Sequence, residues 1–179
     1  MLKSVPKESE KMLVRGFDPI TGKDARIVIL GTLPGDRSLE VQQYYADPGN
    51  ALWPIVQQLF GIDRKLNCDE IKQCLIENRI AIWDVLEQAE RNGSQDNKII
   101  PKTKKANDFL RFFAAHPSIT DVFFNGKLPK KYFDKLVTPK LKDSPRLNAP
   151  LPSTSGANTH CKREKKVELW TVQLLKALA

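Results

Sequence analysis

Residues 27–61 read IVILGTLPGDRSLEVQQYYADPGNALWPIVQQLFG, and the succession of residue types in them sets the fold class. Ile27-Val28-Ile29-Leu30 is a continuous apolar run, the pattern of a central parallel strand covered on both faces. Gly31, Pro34 and Gly35 then force a turn just beyond the strand's carboxyl end, where open α/β sheets place their ligands. Tyr44 and Tyr45 follow. Asp47-Pro48-Gly49-Asn50 leads into Ala51-Leu52-Trp53 and a helix that ends at Gly61, with Asn50 placed as its N-cap. One loop system thus offers an exposed backbone turn, aromatic rings and a carboxamide. A plain strand–turn–helix connection with packed tyrosines and a capping Asn50 satisfies the same spacing.

Working outward, residues 1–25 read as a polar lead-in broken by Gly16, Pro19 and Gly22. Asn67 and Glu70 form a capping pattern for a helix running to about Arg79, followed by a second strand at 80–85. Residues 91–97 read as a polar loop on the same rim as the Gly-Pro turn. The next helix, at about 107–115, should turn Leu110, Phe113 and Ala114 inward before Pro117 stops it. Ile119 to Asn125 is the third strand, and 128–137 a helix with Leu128, Tyr132, Phe133 and Leu136 on one face. Arg146 to Leu151 offers a fourth strand whose prolines suit an edge. Val167, Trp170, Thr171, Leu174, Leu175 and Leu178 recur at helical spacing near the end of the chain. Strands alternating with helices predict an α/β domain with a parallel sheet, and 179 residues suit a single domain over 1–179.

Composition narrows the class. Hydrophobic residues make up 41% and charged residues 28%, as in an ordinary globular protein. No stretch is apolar enough to span a bilayer, and the N-terminus lacks an apolar signal region, so no membrane association and a cytoplasmic location are expected. The formal net charge of +8 favours a polyanionic partner. Six lysines against one acid in 127–142, four lysines in 98–105, and Lys162-Arg163-Glu164-Lys165-Lys166 are positioned for phosphate contact or as solvated faces. Cys68, Cys74 and Cys161 make no CxxC pair and His116 and His160 stand apart, so no metal and no cofactor is expected.

Gly31-Thr32-Leu33-Pro34-Gly35 with Tyr45-Ala46-Asp47-Pro48-Gly49-Asn50-Ala51-Leu52-Trp53 resembles motif 1 of the uracil-DNA glycosylase superfamily, in the style of its mismatch-specific branch. Leu151-Pro152-Ser153-Thr154-Ser155-Gly156-Ala157-Asn158 resembles motif 2. Ile82-Trp83-Asp84-Val85-Leu86, Gly93-Ser94-Gln95-Asp96 and Val122-Phe123-Phe124-Asn125-Gly126 look most like the hypoxanthine-DNA glycosylase branch. The resemblance implies a three-layer α/β/α domain around a four-stranded parallel sheet, and base excision from double-stranded DNA by a monomer. It places Asn50 in catalysis, Tyr45 as the stacking surface, and Thr32, Leu33, Asp84 and Asn125 around the extruded base. Gly35, Ser94, Ser153, Thr154, Ser155, Gly156, Asn158 and Lys162 fall at positions that would contact DNA.

Two departures stand out. Leu33 occupies the place where other branches carry Asp or Asn, and Leu151 the place of a His or Asn. Three readings follow: a monofunctional glycosylase acting on hypoxanthine, or on uracil or xanthine; a catalytically silent DNA-binding protein of the same fold; and, ranked last, a small-nucleotide site cradled by GTLPG, which lacks the glycine and lysine pattern of a phosphate loop.

Overall fold

The structure, a computed structural model, describes residues 12–62, 66–93 and 95–179. Its centre is a parallel sheet built from β2 (Ile27–Gly31), β3 (Ile80–Asp84), β6 (Asp121–Phe124) and β7 (Arg146–Leu147), in the order β3-β2-β6-β7. β2, β3 and β6 are buried along their whole length, which is why they read as unbroken apolar runs. The fourth strand is shorter than 146–151. Pro150 and Pro152 interrupt the ladder, and pairing resumes only at an isolated bridge between Leu151 and Asn125.

Alternate residues of a strand face opposite sides of its sheet, and β6 shows the layering. Phe124 meets Phe133 of α5 (Lys127–Leu136), which also packs on Phe109 of α4 (Phe109–Ala115). Phe123 faces the other way, toward Trp170 of α6 (Arg163–Leu178). α6 in turn packs along α2 (Leu52–Leu59). α1 (Asp36–Val41) is a short helix after the Gly-Pro turn, and α3 (Cys68–Glu77) carries the expected Asn67/Glu70 capping box before β3. The result is the expected α/β/α arrangement. No helix among the described residues is long and apolar enough to cross a membrane.

Several elements differ from expectation. Within the lead-in, β1 (Met12–Arg15) pairs antiparallel with β4 (Leu86–Arg91), and β5 (Lys105–Ala106) completes a second, three-stranded sheet. β1 buries only Val14, too little to leave a periodic signature. β4 starts two residues after β3 ends, so Arg91 belongs to a strand and not to a loop. In α4 Phe109 and Phe112 are buried and Phe113 packs against them as expected, while Leu110 and Ala114 are exposed, because the helix docks on Trp83 through Phe109 and Phe112. Leu175 of α6 is likewise exposed. Helix α2 begins one residue later than placed: Ala51 occupies the N-cap position, and Asn50 caps from just outside by accepting the Leu52 N–H at Oδ1, 3.0 Å away.

Candidate active site

Register brings the predicted residues together. Gly31 pairs with Asp84, Leu30 with Phe124, and Asn125 with Leu151, so Asp84, Gly31, Asn125 and Leu151 form one row across the carboxyl edge of the sheet. Above this row opens a cleft of about 820 Å³, in the upper part of the range of small-molecule sites. It is lined by Thr32, Leu33, Gly35, Tyr45, Asn50, Asp84 and Asn125, and on the far side by Ser153, Ser155, Gly156 and Asn158. Of the other predicted contacts, Lys162 is exposed and outside the lining, and Ser94 lies outside the described residues.

The two principal loops are fastened to each other. The Ala51 N–H donates to the Thr154 carbonyl at 2.8 Å, and Gly156 approaches Gly49 so closely that a Cβ on Gly156 would stand 3.1 Å from the Gly49 oxygen. Asn125 ties the strand edge to the same loop: Nδ2 donates to Thr154 Oγ1 at 2.8 Å and Oδ1 accepts the Thr154 N–H at 2.7 Å. Thr154 is thereby fully buried, a strut and not the surface phosphate contact its sequence position suggested. From below, Lys166 donates to the carbonyls of Ser155 and Asn158, each at 2.8 Å, and Trp170 Nε1 to that of Pro152 at 2.9 Å. The basic run 162–166 therefore does not act as one phosphate-facing face. Lys166 is buried, and its desolvation lowers its pKa. The spacing Lys166, Trp170, Leu174 is one helical stripe and could have revealed this.

Beneath the Gly-Pro turn lies Arg91, with a fully buried side chain. Its Nη2 donates to the Pro34 carbonyl at 2.7 Å and lies 3.4 Å from Asp36, while Nη1 is 3.8 Å from Asp96. Arg91 thus pins the GTLPG turn from a strand the sequence did not announce. Glu87, Gln88 and Glu90 interleave with the buried Leu86, Ala89 and Arg91, so the strand left no regular pattern in the sequence.

At the base of the cleft Asp84 sits directly over Gly31, where any Cβ would collide with its carboxyl and come within 2.8 Å of the Tyr45 hydroxyl. Asp84 is buried, and its Oδ2 has no hydrogen-bond partner. Burial pushes its pKa up to about 8, Asp96 adding to the rise and Arg91 opposing it. The Tyr45 hydroxyl is also buried without a well-formed hydrogen bond, with Asp84 and Asn125 as polar neighbours. Tyr45 holds a left-handed backbone (φ 52°) and its ring meets Trp53 edge-on at 6.1 Å, so it both packs and lines the cleft. Asn50 commits Oδ1 to α2 and keeps its Nδ2 amino group without a partner among the described residues.

Among the described residues the lining contains Asp36, Asp47, Asp84 and Asp96 and one cation, Arg37. A phosphate group seated there would face carboxylates, so the small-nucleotide reading is set aside, and the cleft suits an uncharged polar ring.

The profile of the Uracil DNA glycosylase superfamily matches residues 19–175, nearly the whole chain, and the chain belongs to this superfamily. Among its relatives, the hypoxanthine DNA glycosylase of Methanosarcina acetivorans is 35% identical over 158 residues, covering 88% of this chain and 96% of that protein. The hypoxanthine DNA glycosylase of Methanosarcina barkeri is 34% identical over 156 residues, covering 87% and 94%. The solution NMR structure of an M. acetivorans protein named "putative Uracil DNA glycosylase" superposes with a TM-score of 0.77 at 31% identity, over 94% of this chain and all of that one. Fold, superfamily and DNA glycosylase class thus stand as the sequence motifs implied.

Proposed function

We propose that this protein is a base-excision repair glycosylase that hydrolyses the N-glycosidic bond of hypoxanthine extruded from double-stranded DNA. The observation that carries the reading is the gathering of Tyr45, Asn50, Asp84 and Asn125 around one cleft at the carboxyl edge of the sheet, walled by the two motif loops. The names of its relatives point the same way. A glycosylase cannot reach the base–sugar bond inside a duplex, so the nucleotide is flipped, at a cost of a few kcal/mol that is least for a mispaired base. Tyr45 supplies a π surface for the flipped ring. Asp84 and Asn125 meet its polar edge. Leu33 completes the apolar wall.

Bond cleavage leaves oxocarbenium character on the sugar and negative charge on the purine, and stabilising that separation is the main catalytic task. Because Asn50 Oδ1 accepts from Leu52, the free end of its carboxamide is a donor. A donor suits the departing base better than it suits activation of a water. Asn50 therefore hydrogen-bonds the purine as charge develops, helped by the partial positive charge at the N-terminus of α2. Water completes the hydrolysis as nucleophile, with no lysine among the described residues of the lining. Leu33 and Leu151 remove the polar groups of other branches, which concentrates catalysis on Asn50. Ser153, Ser155, Gly156 and Asn158 present the phosphate-facing rim, with Gly35 opposite and Lys162 beyond it. The protein acts as a monomer in the cytoplasm, on the nucleoid.

Single-turnover excision from duplexes bearing one hypoxanthine or one uracil tests this, with Asn50→Ala beside the wild type. Hypoxanthine release that the substitution lowers by two orders of magnitude or more, with duplex binding intact, is the expected result. Failure of well-folded wild type to release either base would refute catalysis and leave a binding protein.

A further inference from the structure

Asp84 is an unusual buried acid. A buried carboxylate is ordinarily held by a guanidinium or by several N–H donors, since an unpaired charge in a dry site is costly. Oδ2 of Asp84 is entirely enclosed without a hydrogen-bond partner among the described residues, which leaves Oδ1 as the oxygen that can meet a ligand in the cleft Asp84 lines. The groups packed around it are Gly31 from β2, Tyr44 and Tyr45 from the loop before α2, Asp96 from the segment after β4, and Arg91 from β4. The single cation, Arg91, directs Nη2 to the Pro34 carbonyl and Asp36 and stands nearest Asp96 with Nη1. Both tyrosines are held neutral by burial. Burial without a paired guanidinium outweighs the pull of Arg91 and keeps the proton on the carboxyl, and Oδ1 is left for a ligand in the cleft.

We propose that Asp84 reads the flipped base as a neutral carboxylic acid, with the proton on Oδ1 donated to the exocyclic carbonyl oxygen of a lactam edge while Oδ2 stays enclosed. The inference rests on the cleft being the base pocket. Deamination of adenine replaces an exocyclic amino donor and a ring-nitrogen acceptor by a carbonyl oxygen and a ring N–H. A neutral carboxyl answers the new oxygen with a donor on Oδ1. An ionised carboxylate has acceptors only and opposes the new oxygen, so the same residue in its charged form loses one bond and gains a repulsion. Proton occupancy of Asp84 is then a condition for recognising the deaminated base.

The test is the binding preference for a duplex carrying a cleavage-resistant 2′-fluoro deoxyinosine over an undamaged duplex, from about pH 6 to about pH 9, for wild type and Asp84→Asn. Asparagine offers the same donor and acceptor but does not titrate, so it also corrects for ionisation of the base's own ring N–H. The wild-type preference divided by that of Asp84→Asn should be constant below about pH 8 and fall about tenfold per unit above it. A ratio that stays constant throughout, with a clear preference in both proteins, overturns the neutral-acid reading while leaving the base pocket standing. No preference at any pH overturns both. The ¹³C shift of the Asp84 carboxyl in the free wild-type protein decides independently of the variant's folding: a midpoint near 8 supports the inference, and one below about 5 overturns it.

Discussion

Replacing Asp84 by asparagine should change how stability depends on pH, and the size of the change follows from the site. In the unfolded chain this carboxyl ionises near 3.9. In the fold, burial holds the group neutral up to about pH 8. Between these limits the folded state binds one more proton than the unfolded state, so the group's contribution falls as pH rises, by about 1.4 kcal/mol per unit. Below about pH 4 both states are neutral and the contribution is nil; above about pH 8 the loss saturates. Asparagine removes this slope. From pH 5 to pH 7.5 the stability of Asp84→Asn relative to wild type should rise by roughly 3 kcal/mol. Urea unfolding followed by tryptophan fluorescence at half-unit pH steps measures it. The diagnostic is the slope, which is insensitive to what the buried carboxamide itself costs. Parallel curves for the two proteins would show that Asp84 ionises normally and refute the account of the site.

Three further substitutions probe the scaffold. Lys166→Met leaves the Ser155 and Asn158 carbonyls without their donor, at about 1–3 kcal/mol, and should lower duplex affinity as well as the melting temperature; unchanged affinity would show that the loop holds its shape unaided. Gly31→Ala drives a methyl into the Asp84 carboxyl and the Tyr45 hydroxyl, so single-turnover excision should fall at least tenfold while binding to undamaged duplex persists. Arg91→Gln breaks a buried cation's contacts, with a stability loss of about 3–5 kcal/mol by urea titration; because Arg91 opposes the upward shift of Asp84, the carboxyl midpoint should also move higher.

The parallel sheet was legible because buried central strands are continuous apolar runs, and β2, β3 and β6 each end in a residue pattern that marks the rim. The second sheet was not. β1 is exposed except for Val14, and β4 mixes Glu87, Gln88 and Glu90 with Leu86, Ala89 and Arg91, so neither shows the two-residue alternation that identifies a half-buried strand. Site residues on the strand edge were found from motif order. The residues that hold them were not, because Arg91 and Lys166 are charged and a sequence reading assigns charge to the surface. Their burial depends on carbonyl groups supplied by loops distant in the chain, Pro34 for one and Ser155 and Asn158 for the other. Thr154 misled for the same reason: a hydroxyl beside a serine pair looks like a phosphate contact until Asn125 is seen to claim it.

The attachment of the Ser153–Asn158 loop to α6 has a consequence for biosynthesis. Every segment that walls the cleft precedes α6 in the chain, yet part of the loop's support, beside Asn125 and Ala51, comes from Lys166 and Trp170 within that helix. A ribosome-bound chain that has emerged only as far as about residue 160 contains all the residues that would face the base and lacks the clamp for one wall. The last supports of that wall are therefore supplied only when α6 docks.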